Sequence, residues 1–221
     1  MKLQELVPEI YPLMVELEKL LNETMSSKIK AVNDITDYLQ KASGKRLRPA
    51  LYLLIAANSH NVSSKILSVG AAIELIHSAT LVHDDVVDRS DLRRGLPTIS
   101  SKWGNNNSVL IGDFLFAKAF SLLTQYGNHE IINTFSEVIV KMSVGEIEQL
   151  TDVFNVDLTE EDYFDRITKK TAIFIAGVCK TGGIVRDANP AELTALYEYG
   201  LNLGIAFQIQ DDILDFQGNK E

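Results

Sequence analysis

Apolar side chains recur at helical spacing along most of the chain. Leu13, Leu17, Leu20 and Leu21 fall on one helix face, following the i, i+4, i+7 rule. Pro8 and Pro12 confine the regular helix to the residues after them. The same spacing predicts helices near 30–42, 48–58, 64–89, 107–126, 129–153, 160–180 and 190–217. Several ends are legible. Asn189-Pro190-Ala191-Glu192 reads as an N-cap, a first-turn proline and a capping-box acid. Thr159 with Asp162 is a cap of the same type, and Gly182-Gly183 suits a helix stop. Gly127-Asn128 joins two helices. Runs that alternate apolar and polar residues between hairpin turns do not occur, so no sheet is predicted. No linker, repeat or low-complexity segment splits the chain.

Two stretches, 66–83 and 201–210, are apolar nearly all round, which marks central helices rather than surface ones. Each runs directly into a cluster of aspartates. The predicted fold is therefore all-α: a large single-domain helical bundle around a deep central cavity, with two core helices bringing acids to one end.

Composition narrows the chemistry. The chain has 221 residues, 46% of them apolar, and a net charge of −9. It can bury a substantial core, and nucleic acid is an unsuitable partner. The single cysteine, Cys179, excludes an internal disulfide and a thiolate metal site and suits a reducing cytoplasm. Met1 to Glu5 carries no signal pattern, and apolar runs such as Pro49 to Ala57 are far shorter than a membrane span.

The aspartates form one pattern twice: Asp84-Asp85-Val86-Val87-Asp88 and Asp211-Asp212-Ile213-Leu214-Asp215. Carboxylates at i and i+4 share a helical face and repel. Burying either without a partner costs several kcal/mol. A chain that does this twice requires a cation. All-oxygen donors favour Mg²⁺, which keeps waters and binds phosphate as well. Cationic groups come in two sets, Gly44-Lys45-Arg46-Leu47-Arg48-Pro49 and Asp91-Leu92-Arg93-Arg94-Gly95. Arginine suits multidentate phosphate binding, and lysine acts as a mobile point charge. His77, seven residues before Asp84, lies on nearly the same helical face.

Together these residues resemble the trans-isoprenyl diphosphate synthases, with a longer-chain polyprenyl type as the nearest pattern. Leu81-Val82-His83-Asp84-Asp85-Val86-Val87-Asp88 with Arg93-Arg94-Gly95 is similar to the first aspartate-rich motif of that family. Phe207-Gln208-Ile209-Gln210-Asp211-Asp212-Ile213-Leu214-Asp215 is similar to the second, and Gly44-Lys45 with Arg48-Pro49 to the isopentenyl diphosphate motif. The resemblance implies an all-α homodimer, or a heteromer, that joins an allylic diphosphate to isopentenyl diphosphate head to tail with three Mg²⁺ per active site. Asp84 and Asp88 would hold Mg²⁺ on the allylic diphosphate with Asp85 in support. Asp211 would hold a further Mg²⁺, with Asp212 and Asp215 in the same motif. Arg93 matches the clamp on the allylic diphosphate. Gly44, Lys45, Arg48, His77 and Arg94 match the isopentenyl diphosphate site. Lys170, Thr171 and Gln208 match further diphosphate and active-site positions.

Product length follows from the same resemblance. Bulky aromatics one turn before the first motif stop the growing chain early in this family. Ala79 and Thr80 stand there instead, which implies a product longer than farnesyl, with Ile76 and Ile73 as deeper limits. Family members continue for several helices past the position of Glu221, including a lysine-bearing loop. The implied domain, 1–221, therefore lacks the family's C-terminal helices. Two other readings use the same acids: a class I terpene cyclase, which needs no isopentenyl site, and a noncatalytic subunit of a heteromeric synthase. Taken singly, each acidic pattern reads as a solvated helix end or a calcium-tolerant surface, and Lys45-Arg46-Arg48 as a solvated turn. Arg93-Arg94 fits a solvated turn or a binding site equally. His83 and Cys179 read as core residues, and Trp103 as a loop anchor.

Overall fold

The computed structural model describes residues 7–57, 64–126, 128–152 and 155–217. Met1 to Glu5, Gly127 and the last positions of two predicted helices, 58 and 153, lie outside the described residues. The described residues fall into two compact units, divided between Asn128 and His129.

The first unit opens with a 3₁₀ turn, Pro8–Ile10, followed by α1 (Tyr11–Met25), α2 (Lys30–Lys41), α3 (Leu47–Ala56) and α4 (Ser64–Val87). Two short strands come next, β1 (Leu92–Arg93) and β2 (Leu96–Pro97), then α5 (Ile99–Trp103) and α6 (Asn105–Tyr126). α4 is the central helix, packed by α6, α1 and α3. Leu17, Leu21, Tyr52, Leu53, Val69, Ile73, Leu75, Ile76, Leu115 and Leu123 are all buried there. Each fully buried aliphatic side chain contributes about 1.5–3 kcal/mol. Gly70 lets α1 and α3 close on α4, since a Cβ at that position would lie 2.9 Å from the Leu17 side chain.

The strands correct the expectation of no sheet. They pair antiparallel, Leu92 opposite Pro97 and Arg93 opposite Leu96. The connecting residues, Arg94 and Gly95, have φ of 53° and 76°, the left-handed pair that a two-residue hairpin turn needs. Arginine in place of asparagine or aspartate, with strands only two residues long, leaves no alternation to read.

The second unit contains α7 (His129–Thr151), α8 (Glu160–Ile167), a π-helical turn (Thr168–Ala172), α9 (Ile173–Val185) and α10 (Pro190–Gln217). The helix predicted over 160–180 is thus divided by the π turn and runs on to Val185. Both predicted capping boxes form. The Thr159 hydroxyl accepts from the Asp162 amide, and the Asp162 carboxylate accepts from the Thr159 amide at 2.8 Å. Asn189 and Glu192 exchange the equivalent pair at 3.0 Å each.

Three further expectations are corrected. Gly182-Gly183 does not stop α9; Asp187, at φ 57°, takes the left-handed position after the helix. The Ala188 amide donates to the Gly183 carbonyl and the Asp187 amide to that of Ile184, which completes a Schellman motif. The core helix of this unit is α9, not 201–210: Ile173 to Cys179 are all buried, whereas α10 buries only Gly200 and Gly204. Those two glycines explain the difference. They seat α10 against the backbone of Ala176 and Ala172, and its other faces stay open. Finally, Ser64–Val87 and Asn105–Tyr126 are long and apolar enough by length and composition to cross a membrane, contrary to the expectation of shorter apolar runs. For α4 the apolarity is already used, with 67% of its apolar window buried inside the fold.

Candidate active site

The first unit gathers most of the predicted cationic set. Arg48, on the first turn of α3, places one guanidinium nitrogen 2.9 Å from Nε2 of His77 on α4. An arginine can only donate, so His77 Nε2 accepts, and its neutral ring carries its proton on Nδ1. Burial, followed by the charges of Arg48, Arg94, Arg93 and Arg46, holds the imidazole well below its ordinary range. The guanidinium of Arg94, on the hairpin turn, occupies the space where a Cβ on Gly44 would stand. It also donates to the Ala42 carbonyl at 3.5 Å. A side chain at position 44 would displace the flexible end of Arg94 from this place. Lys45, between them in sequence, is exposed. Four of the five residues assigned to isopentenyl diphosphate thus pair off within one unit, Arg48 with His77 and Arg94 over Gly44.

At the end of α4 the three aspartates separate. Asp85 is buried, and its carboxylate accepts from Nε of Arg93 at 2.8 Å. Burial raises the Asp85 pKa; the Arg93 charge opposes that and Asp88 adds to it. Asp84 is half-buried and Asp88 exposed, one turn away. Arg89 follows in the left-handed region at φ 52°, and the Ser90 amide donates back to the Asp85 carbonyl. That Schellman end turns the chain sharply after the acids and leads it to the hairpin that carries Arg93 and Arg94.

The chain-length candidates lie on the same helix. Ala79, Ile76 and Ile73 are fully buried, and the Thr80 hydroxyl donates to the His77 carbonyl at 2.8 Å. His83 is not a core residue. It is half-buried, with Nε2 3.1 Å from the Val109 carbonyl and 3.7 Å from Asp113, in space left by Gly112. Trp103 anchors its loop edge-on against Tyr38, with ring centres 5.1 Å apart.

In the second unit a chain of hydrogen bonds links three elements. Thr171 on the π turn donates to Gln208 Oε1 at 2.6 Å. Gln208 donates from Nε2 to Asp212 at 2.9 Å, and the Tyr163 hydroxyl donates to the other Asp212 oxygen at 2.7 Å. Asp212 is therefore committed within the protein, whereas Asp211 and Asp215 are exposed one turn apart on α10. Lys170 is held 3.2 Å from both Glu146 and Gln149 of α7. Lys169 bridges Glu148 and Asp165 at 2.7 and 2.6 Å. The π turn inserts one extra residue per turn, a device common at functional sites, and gives these consecutive lysines separate partners. Cys179 is buried in α9, and burial pushes its thiol up to about 12, as suits a packing residue.

Asp84 with Asp88, and Asp211 with Asp215, present hard oxygens in pairs. Among the described residues no group of three or more His, Cys, Asp or Glu converges to hold a metal by itself. Pairs of this kind fit Mg²⁺, which keeps several waters and is completed by substrate phosphates. Sequence reasoning gave no role to Tyr163, Glu18 or Glu74, and placed Arg46 only within a basic set. Tyr163 stands 49 residues from Asp212, at no spacing that marks it.

The profile of the polyprenyl synthetase family matches residues 29–221. The chain is 38% identical over 221 residues to heptaprenyl diphosphate synthase component 2 of Geobacillus stearothermophilus, covering all of this chain and 69% of that one. Its fold matches a decaprenyl diphosphate synthase from Rhodobacter capsulatus with a TM-score of 0.92 at 40% identity, over 98% of this chain and 67% of that one. A polyprenyl synthase from Caulobacter crescentus, solved with calcium and isoprenyl diphosphate, matches with a TM-score of 0.91 at 36% identity, over 97% and 65%. The chain thus spans about two thirds of the length of these relatives. With the two acidic motifs, the Arg48–His77 pair and the all-α fold, these matches show that the chain belongs to the polyprenyl synthetase family.

Proposed function

We propose that this chain serves a Mg²⁺-dependent prenyltransferase that condenses an allylic diphosphate with isopentenyl diphosphate to give a trans-polyprenyl diphosphate longer than farnesyl. The observation that carries this reading is the cationic set Arg48, His77 and Arg94 with Gly44, on the unit that also bears Asp84 and Asp88. A terpene cyclase needs the acids but no second diphosphate site.

Asp84 and Asp88 would hold Mg²⁺ for the allylic diphosphate, and Asp211 would hold a further ion. When bound, Mg²⁺ supplies charge stabilisation to the departing diphosphate. Arg93, fixed by buried Asp85, adds a directed guanidinium to the same leaving group. The allylic C–O bond breaks, and its electron pair leaves with the diphosphate. Lys45, Arg48 and Arg94 hold isopentenyl diphosphate so that its double bond attacks the allylic cation, and a proton is then lost to restore a double bond. Neutral His77 accepts from Arg48 and fixes the direction of that guanidinium. On the second unit, Lys170, Thr171 and Gln208 would serve as further diphosphate-binding residues. Ala79 and Thr80 leave the growing chain unobstructed, with Ile76 and Ile73 as deeper limits.

We infer a cytoplasmic homodimer. A noncatalytic or heteromeric role is the second reading, favoured by the name of the Geobacillus relative, component 2 of its synthase. The test is to incubate the chain with farnesyl diphosphate, isopentenyl diphosphate and Mg²⁺ and read the products by mass spectrometry. A ladder extending beyond farnesyl and abolished by EDTA supports the proposal. No product from the chain, alone or extended at its C-terminus, contradicts it.

A further inference from the structure

Beneath the cationic set lies a buried ionic bridge that the reaction does not use. Arg46 stands between Lys45 and Arg48, and its side chain is only 10% exposed. Its Nε and one terminal nitrogen donate to the two oxygens of Glu18 on α1, at 2.6 and 3.2 Å. The other terminal nitrogen donates to Glu74 on α4 at 2.5 Å. Glu74 is 6% exposed, and burial raises its pKa against the opposing charges of Arg46 and Arg48. For Arg46, burial works against the charge, and the two carboxylates outweigh it.

Stability is a poor reason for such a bridge, because well-packed apolar residues replace buried ion pairs at little or no cost. Its geometry offers a better one. Arg46 is the N-cap of α3 and lies in the left-handed region, at φ 53° and ψ 36°, where a residue with a Cβ rarely settles. This backbone reversal sets the directions in which Lys45 leaves the loop and Arg48 leaves the first turn of α3. Glu74 precedes His77 by one helical turn, so the acceptor of the bridge and the partner of Arg48 belong to one rigid element. A planar guanidinium with three engaged nitrogens fixes the orientation of the loop in a way that a single point charge cannot.

We propose that Glu18, Arg46 and Glu74 are positioning residues that lock the left-handed turn and thereby aim Lys45 and Arg48 at the diphosphate of isopentenyl diphosphate. The inference rests on the reading of that site given above. The three residues touch neither substrate nor metal; they act through Lys45 and Arg48.

Titration calorimetry of the full chain with isopentenyl diphosphate, and separately with Mg²⁺ and a farnesyl thiodiphosphate, tests it alongside thermal melting. Glu18→Gln is the mild variant, since Glu18 is 40% exposed. The second is Glu18→Gln/Arg46→Met/Glu74→Leu, which removes every buried charge of the bridge together. The expected result is a folded protein whose Kd for isopentenyl diphosphate rises at least threefold in the first and tenfold in the second. The allylic analogue should bind within twofold of wild type in both. Selective loss of one ligand is not what a merely structural role produces. Folded Glu18→Gln protein that binds both ligands like wild type, while Arg48→Ala loses isopentenyl diphosphate, would overturn the proposal and leave the site reading standing. Wild-type binding by Arg48→Ala would overturn both.

Discussion

Among single residues, His77 is the one whose surroundings define its role most fully. It was legible in the sequence as a histidine on the face of the acidic motif. Its partner was not, because Arg48 is 29 residues away and reaches it only through the packing of α3 on α4. Burial and four arginines hold its pKa below the ordinary value of 6.5. The unfolded chain therefore binds more protons than the folded one as pH falls. Stability linked to His77 is fully present above the unfolded value, near 6.5, and is lost as pH falls toward the folded value. In His77→Gln the slope of Tm against pH between about 6.5 and 5 should flatten relative to wild type; an unchanged slope would show that His77 titrates normally. Asp85 teaches a related lesson. The family resemblance put Asp85 in support of Asp84 and Asp88, and the fold adds the partner that holds it, Arg93.

At the scale of elements, the helices were legible because their apolar spacing and caps are local, whereas the exceptions depend on contacts remote in sequence. The hairpin turn, the π turn and the left-handed Arg46 leave no pattern at short range. Helix 201–210 was read as core because composition reports apolarity and not which side is covered. Its real packing depends on two glycines. A Cβ at position 204 would lie 2.5 Å from Ala172 Cα, which is backbone and cannot step aside. Gly204→Ala should therefore destabilise the second unit by about 1–3 kcal/mol despite better helix propensity, read as a lower denaturation midpoint at unchanged m-value. A neutral or stabilising outcome would mean that α10 does not sit so close to the π turn. On α4, Ala79 is fully buried. Ala79→Phe should cost about 1–3 kcal/mol through overpacking and shorten the longest product, with mass spectrometry as the readout. A ladder of unchanged length would refute the chain-length assignment.

For the molecule as a whole, the proposed metal-dependent prenyl transfer rests on residues that the sequence announces twice. Each unit carries one acidic pair, Asp84 with Asp88 and Asp211 with Asp215, on a long helix whose neighbours fix the remaining aspartate, Asp85 by Arg93 and Asp212 by Tyr163 and Gln208. That parallel was visible as a repeated motif. The supporting place of Asp85 was already implied by the family resemblance. The anchors of Asp85 and Asp212 were not visible, because Arg93 comes from the hairpin and Tyr163 from α8, with only Gln208 on α10 itself. The most direct measurement is turnover of farnesyl and isopentenyl diphosphates with Mg²⁺ by wild type, Asp84→Ala and Asp211→Ala, with circular dichroism to establish that all three fold. Losing a ligand for the ion that stabilises the leaving group costs several kcal/mol of transition-state stabilisation, or about a thousandfold in rate. The expected result is a ladder of polyprenyl diphosphates from wild type and at least a hundredfold loss in each folded variant. Wild-type rates in either variant would contradict the metal assignment and the account built on it.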